Sequence, residues 1–198
     1  MTIGIIGAGN IGKALAKKLA IAGYQVEISN RRGPGSLASF VRETGENITA
    51  VTAEEAADNE VVILAVRWVN VEEVLKKTAY AMVGKIVIDT TNPILDDGSY
   101  ADLHGFGSSE IVSFLIPGAC LVKAFNALRA EWINDEPLFF GGRRVVFYSG
   151  DNPNSKITVH RIIRDIGFSP VDIGDLDAGN DMQQAGKPLA LKNLISLN

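Results

Sequence analysis

Cysteine is almost absent from this chain: Cys120 is the one example in 198 residues. A lone thiol excludes an intrachain disulfide and a thiolate-rich metal site, and it fits a reducing compartment. Histidine is confined to His104 and His160, and no triad or metal-ligating cluster stands out, so no metal is expected. Positive charge is not in excess. The formal net charge is −4, which argues against a nucleic-acid-binding surface. No apolar run approaches the roughly 20 residues needed to span a bilayer. The N-terminal apolar stretch is broken by Gly4, Gly7, Gly9 and Gly12, without the charged region and cleavage site of a secretory signal. The expected setting is the cytoplasm, with neither nucleic acid nor membrane as partner. With 46% hydrophobic and 21% charged residues, the composition is that of an ordinary globular domain with a sizeable core.

What is present begins at once. Thr2-Ile3-Gly4-Ile5-Ile6 is an apolar run that ends in Gly7-Ala8-Gly9-Asn10-Ile11-Gly12, the spacing G-x-G-x-x-G, and a helical pattern comes directly after. A buried strand turning tightly into a helix can bring backbone amides up to a pyrophosphate. The first glycine permits the turn, the second lets the backbone approach, and the third lets helix and strand pack closely. The phosphates then meet the unpaired amides at the positive end of the helix. Gly7 through Lys13 also fits G-x-x-x-x-G-K, but a P-loop needs Ser or Thr next for magnesium, and position 14 is Ala.

The rest of the chain alternates. Strands are expected at 2–7, 25–29, 48–50, 61–66, 85–89, 119–125, 143–149 and 168–173. Helices are expected at 10–22, 69–80, 127–133 and 153–166, with one from Ser36 to Thr44 and one from Ser108 or Ser109 to Leu115, each opened by a serine cap. Thr52-Ala53-Glu54-Glu55 is a capping-box pattern. Residues 90–107, which contain Pro93, Gly98, Gly105 and Gly107, are expected to form a long loop of the kind that often covers a site. This order predicts an α/β fold, a doubly wound parallel sheet of Rossmann-like type, with its ligand outside the carboxyl ends of the strands. Residues 1–176 are expected to form the nucleotide-binding domain. Residues 177–198 form a tail that packs on the domain or on a partner subunit, so a homodimer is among the expected states.

The end of the second strand discriminates between dinucleotides. NAD binding normally uses an acid about 20 residues past the loop to hold the ribose 2′-OH. Here Asn30 takes that place and Arg31 and Arg32 come next. Two guanidiniums suit a 2′-phosphate, so NADP(H) is expected, with Gly7, Gly9, Asn10, Ile11, Gly12, Asn30, Arg31 and Arg32 holding it. Glu27 lies near the same spacing and is the ribose acid if the register is shifted. Lys123, inside an apolar strand, must emerge at the strand end or pair with an acid such as Asp89. Its role is either structural or a ligand contact. Cys120 and Trp132 read as packing residues, His160 as solvated or structural, and His104 as a surface residue with a smaller claim on catalysis.

Several stretches together resemble one family. The glycine loop, Ser29-Asn30-Arg31-Arg32, Asp89-Thr90-Thr91-Asn92-Pro93, Leu121-Val122-Lys123-Ala124-Phe125-Asn126, Ser149-Gly150-Asp151, Gly167-Phe168-Ser169-Pro170 and Gly186-Lys187-Pro188-Leu189-Ala190 occur in order. The chain resembles the coenzyme F420-dependent NADP oxidoreductase family, whose fold also forms the cytoplasmic domain of the STEAP metalloreductases. The resemblance implies hydride exchange between NADP(H) and F420, a flavin (FMN or FAD) or another small electron acceptor. It places Ala65, Val66, Arg67 and Trp68 under the cofactor, and Asn92 and Asn126 near the nicotinamide. No catalytic residue is assigned, since hydride transfer between two rings needs stacking and distance control more than an acid or base. Where such enzymes carry Pro before the tryptophan, this chain has Arg67. Two other functions stay open. One is an NADP(H)-binding sensor without turnover. The other is an imine reductase resembling pyrroline-5-carboxylate reductase, whose helical dimerisation domain is here replaced by strands at 143–149 and 168–173.

Overall fold

The computed structural model describes residues 1–197. The first half winds as strand β1 (Thr2–Ile6), helix α1 (Asn10–Ile21), β2 (Gln25–Ser29), α2 (Ala38–Thr44), β3 (Ile48–Ala50), α3 (Ala53–Ala57) and β4 (Val61–Leu64). The second half continues as α4 (Val71–Thr78), β5 (Ile86–Asp89), α5 (Ser108–Leu115), β6 (Cys120–Ala124) and α6 (Ala130–Asn134). It ends with β7 (Leu138–Phe139), β8 (Gly142–Gly150), α7 (Pro153–Asp165), β9 (Ser169–Asp172), α8 (Leu176–Gln183) and β10 (Ile195–Ser196).

The sheet runs β3-β2-β1-β4-β5-β6-β8-β10, with β9 and β7 also paired to β8. From β3 to β6 every neighbour is parallel. This is the dinucleotide-binding order, and it reverses between β1 and β4. The central strands are apolar on both sides because helices cover both. In β4, Val61 and Ile63 join the core that includes Leu15, Leu19, Ile162 and Phe168. Val62 and Leu64 join the opposite core with Leu75, Met82, Val112 and Leu176.

The parallel expectation stops at β6. Strand β8 runs antiparallel to β6, and β9 then lies parallel to β8. The chain reaches β8 through a hairpin rather than a crossover helix. Phe140 (φ +48°) and Gly141 (φ +78°) form its two-residue loop, and two successive positive φ values give the primed turn that matches strand twist.

Both expected serine caps are corrected. Pro34–Leu37 is a 3₁₀ turn and α2 starts only at Ala38. Ser36 is not its cap, because its hydroxyl donates to the Gly33 carbonyl at 2.8 Å. The residue before α5 is Gly107, not a serine, and its N–H donates to Glu110 Oε2 at 2.6 Å. A Cβ there would lie 1.8 Å from the Asn180 amide nitrogen, so the packing of α8 demands glycine. Helix α6 begins at Ala130, three residues later than expected. The capping box forms as expected: Thr52 Oγ1 accepts from Glu55 N, and Glu55 Oε2 accepts from Thr52 N at 2.8 Å.

The expected boundary at 176/177 falls in the first turn of α8. Beyond that turn the chain packs against its own domain. Asn180 and Gln183 are buried, the Leu191 N–H donates to the Ala127 carbonyl at 2.8 Å, and β10 pairs with the start of β8.

Candidate functional site

The glycine loop sits at the topological switch, between β1 and α1. Gly7 has φ +113°, and a Cβ on it would come within 2.2 Å of the Ala65 carbonyl oxygen. A Cβ on Gly12 would come within 1.9 Å of the Gly7 carbonyl oxygen. Backbone closeness therefore dictates both glycines. Gly9 is different: it is the N-terminal flank of α1 at φ −75°, and a Cβ on it would meet nothing within 4 Å. Its side-chain space is open, as a backbone that approaches a phosphate requires. No side chain caps α1 and no acid occupies its first turn, so its leading amides are free for an anion.

Two clefts of about 490 Å3 each meet at this loop. One opens between β1, β2 and α4, over Gly7, Asn30, Arg31, Thr52, Val66 and Arg67. Asn30 shapes its rim: Oδ1 accepts from the Arg32 N–H at 2.9 Å and Nδ2 donates to Ser36 Oγ at 2.9 Å. The side chain thus holds a turn that presents the two arginines. Arg31 lines the cleft while Arg32 does not, and both are exposed. Glu27 sits inside β2, opposite Gly4, and accepts from Asn59 Nδ2 at 2.7 Å. It lines neither cleft, so the register with Asn30 at the strand end is the one the fold adopts.

The second cleft is lined by Gly9, Asn10, Ile11, Ala65, Trp68 and Asn92, and its apolar rim includes Ile94, Leu95 and Leu128. Val66 and Arg67 are common to both clefts. Gly12 is buried below the loop. Asn126, 3% exposed, lies behind the second cleft rather than in it. Its Nδ2 donates to Asn92 Oδ1 at 3.1 Å and to the Gln183 carbonyl at 2.8 Å, while Asn92 Nδ2 donates to the Asn126 carbonyl at 2.8 Å. The Ala185 N–H also donates to Asn92 Oδ1, at 3.0 Å. Asn126 Oδ1 and Gln183 Oε1 are buried without a protein partner among the described residues. Phe125, just before this clamp, holds φ +64°. Left-handed backbone at a non-glycine residue costs about 1–3 kcal/mol and is kept where surroundings over-determine it. Here the ring is buried edge-on against Phe168, with centroids 6.5 Å apart.

Lys123 pairs with Asp89 rather than emerging. Both side chains are 0% exposed, with Nζ 3.3 Å from Asp89 Oδ2, 2.8 Å from Ser109 Oγ and 3.0 Å from Ser108 Oγ. Asp89 Oδ1 accepts from Thr91 N at 2.8 Å and Thr91 Oγ1 at 2.7 Å, and Oδ2 accepts from Ser109 Oγ at 2.6 Å. The serines expected to cap α5 are instead turned to the buried charges. Burial pushes the Lys123 ammonium below its usual range, and the Asp89 carboxylate partly offsets this. The network lies beneath Thr90, Thr91 and Asn92, which line the second cleft.

Other residues fall outside the site. His104, at φ +53°, is exposed beside Asp102 and lines neither cleft. His160 Nδ1 is 3.0 Å from the Tyr148 hydroxyl. Cys120 is half-buried at the start of β6 rather than in the core. Trp132 packs on the core with Arg129 5.7 Å from its ring centroid. Among the described residues no cluster of three His, Cys, Asp or Glu could hold a metal ion. Thr52, Thr90, Thr91, Ile94 and Leu95 line the clefts although the sequence reading assigns none of them to the site. Their one signal is positional, since each comes after the carboxyl end of β3 or β5.

Residues 2–93 match the family described as NADP oxidoreductase coenzyme F420-dependent. A hypothetical protein of Sinorhizobium meliloti, whose structure is solved, is 40% identical with a TM-score of 0.92, over 99% of this chain and 96% of that one. A candidate F420-dependent NADP reductase from Arthrobacter sp. FB24 is 25% identical with a TM-score of 0.79, over 91% and 87% of the two chains. Metalloreductase STEAP3 of Rattus norvegicus is 29% identical over 183 residues, which are 91% of this chain. The chain spans about a third of the length of that relative, 35%. With the glycine loop at the switch point, the stretch that matches the coenzyme F420-dependent NADP oxidoreductase family runs from β1 to the loop after β5.

Proposed function

We propose that this NADP-dependent oxidoreductase exchanges hydride between NADPH and a flat, flavin-like acceptor that reaches the second cleft from solvent, in the cytoplasm. The observation that carries the reading is the pair of clefts that meet at Val66 and Arg67 beside the glycine loop. One is rimmed by Arg31 at the end of β2. The other is open, apolar at its rim, and walled by Trp68, Ile94 and Leu95. The residues present fit a dinucleotide: a Cβ at Gly9 would meet nothing within 4 Å, which leaves room for a pyrophosphate, and Arg31 lines the first cleft as a guanidinium able to pair with a 2′-phosphate. Bound there, NADPH would supply the hydride of its dihydropyridine ring to the acceptor. The protein's part is positional. Asn92, fixed by Asn126 and Ala185, sets the wall of the second cleft, and apolar side chains around the ring keep water from the transfer path. F420, FMN and FAD each present a ring that fits a stacked arrangement.

The test is NADPH oxidation, monitored by loss of its near-ultraviolet absorbance, against F420, FMN, FAD, ferric chelates and quinones. Turnover with a deazaflavin or flavin is expected. Tight NADPH binding with no oxidation by any acceptor overturns the proposal in favour of a sensor. Turnover confined to ferric chelates or quinones overturns the flavin-like acceptor.

A further inference from the structure

We propose that Arg67 is a pyrophosphate-binding residue of this chain, held in the nucleotide-free protein by Asp96 and transferred from that carboxylate to the cofactor. The inference rests on the nucleotide reading of the two clefts.

Arg67 lies just past β4 and is, with Val66, common to both clefts. A dinucleotide with its adenosine in one and its nicotinamide in the other must carry its two phosphates across that junction. A second positive feature beside it is the amide-lined start of α1, which can hydrogen-bond the phosphates from one side only. Arg67 stands across from it at the carboxyl end of the neighbouring strand. Its backbone is extended (φ −68°, ψ 147°) and its side chain is 63% exposed, so the guanidinium is free to swing.

In the structure that guanidinium is ion-paired to Asp96, in the loop after β5. The carboxylate is 67% exposed, so water screens the pair and it is weak. A planar guanidinium binds phosphate through two parallel hydrogen bonds in a setting partly closed from water, which is a stronger arrangement. Exchanging Asp96 for pyrophosphate is therefore downhill, and Asp96 acts as a competitor. It occupies Arg67 when the nucleotide is away and lowers apparent affinity by the strength of the pair.

The predictions for single variants have opposite signs. Titration calorimetry with NADP+ and with NAD+ should show Arg67→Ala weakening both by about tenfold, since the two share the pyrophosphate. Asp96→Asn should tighten both by up to about fivefold. Arg31→Ala, run alongside, should weaken NADP+ alone. Melting temperatures of the Arg67 and Asp96 variants should stay close to the parent, as expected for an exposed pair. An unchanged affinity in Arg67→Ala overturns the assignment. So does a loss for NADP+ alone, which would make Arg67 a 2′-phosphate reader. Weakening by Asp96→Asn overturns the competition and makes the ion pair part of the site's shape. If the parent protein binds neither nucleotide, the reading of the clefts falls first and the role of Arg67 with it.

Discussion

Replacing Lys123 by Met tests the interior that supports the second cleft. The methionine keeps an unbranched stem of similar length and removes the charge with its donors. Lys123 Nζ serves Ser109 Oγ at 2.8 Å, Ser108 Oγ at 3.0 Å, Asp89 Oδ2 at 3.3 Å and the Thr91 carbonyl at 3.3 Å, all without water contact. Its loss leaves the Asp89 carboxylate buried with only Ser109 and Thr91 as donors. Breaking a buried pair from one side costs about 3–5 kcal/mol, against a total stability of about 5–15 kcal/mol for a domain. With a urea dependence of about 2 kcal/mol per molar, the unfolding midpoint should fall by about 1.5–2.5 M. The double variant with Asp89→Asn removes the stranded charge and should recover part of the loss. A second readout uses pH. Burial lowers the folded pKa of Lys123, so between that value and about 10.4 in the unfolded chain, the unfolded state binds more protons. Stability of the parent relative to Lys123→Met must therefore rise with pH as that window is entered. A midpoint within about 0.5 M of the parent, or a double variant no more stable than the single one, refutes the reasoning.

Arg31→Ala should cost about 1.5–3 kcal/mol of NADP+ affinity and leave NAD+ affinity nearly unchanged; equal calorimetric losses for the two would remove the 2′-phosphate assignment. Gly12→Ala places a methyl 1.9 Å from the Gly7 carbonyl oxygen and should destabilise by about 1–3 kcal/mol. Gly9→Ala meets open space; it should stay within about 1 kcal/mol of the parent in a urea melt yet lose about tenfold in NADPH affinity. The Tyr24 hydroxyl donates to Asp165 Oδ2 at 2.5 Å, and burial, then that carboxylate, push its pKa up to about 12. A raised phenol pKa means the folded state keeps its proton longer. The parent's advantage over Tyr24→Phe, about 0.5–1.5 kcal/mol at neutral pH, is complete below about pH 10 and is lost as pH climbs towards about 12. A constant difference across that range would show that the bond contributes nothing through its proton.

The alternation of buried strands and amphipathic helices was legible because each has its own period, and the glycine loop because only one backbone path satisfies its spacing. Thr52 and Glu55 announced their helix within four residues. What escaped the sequence depends on partners far along the chain. Ser108 and Ser109 looked like caps because local chemistry favours a hydroxyl there. Lys123, 15 and 14 residues on, claims both hydroxyls, and Asn180 fills the space that would have held a cap's side chain. The direction of β8 was invisible for another reason: an apolar run such as Val145-Val146-Phe147-Tyr148 packs equally well either way. Its orientation is set by the Phe140-Gly141 hairpin. Arg67 and Asp96 likewise meet only because β4 and β5 are neighbours.

The clamp around Asn92 sets an order in time. Residues 1–89 contain β1 to β5, and with them the glycine loop, Arg31 and the whole lining of the first cleft. Asn92 and Asn126 acquire their outer partners only from Gln183 and Ala185, and the Ala127 carbonyl only from Leu191. A chain emerging from the ribosome can therefore assemble the lining of the first cleft long before the second cleft is braced. Bracing of the second cleft has to wait for residues 183–191 to be made, even where formation of the first cleft does not.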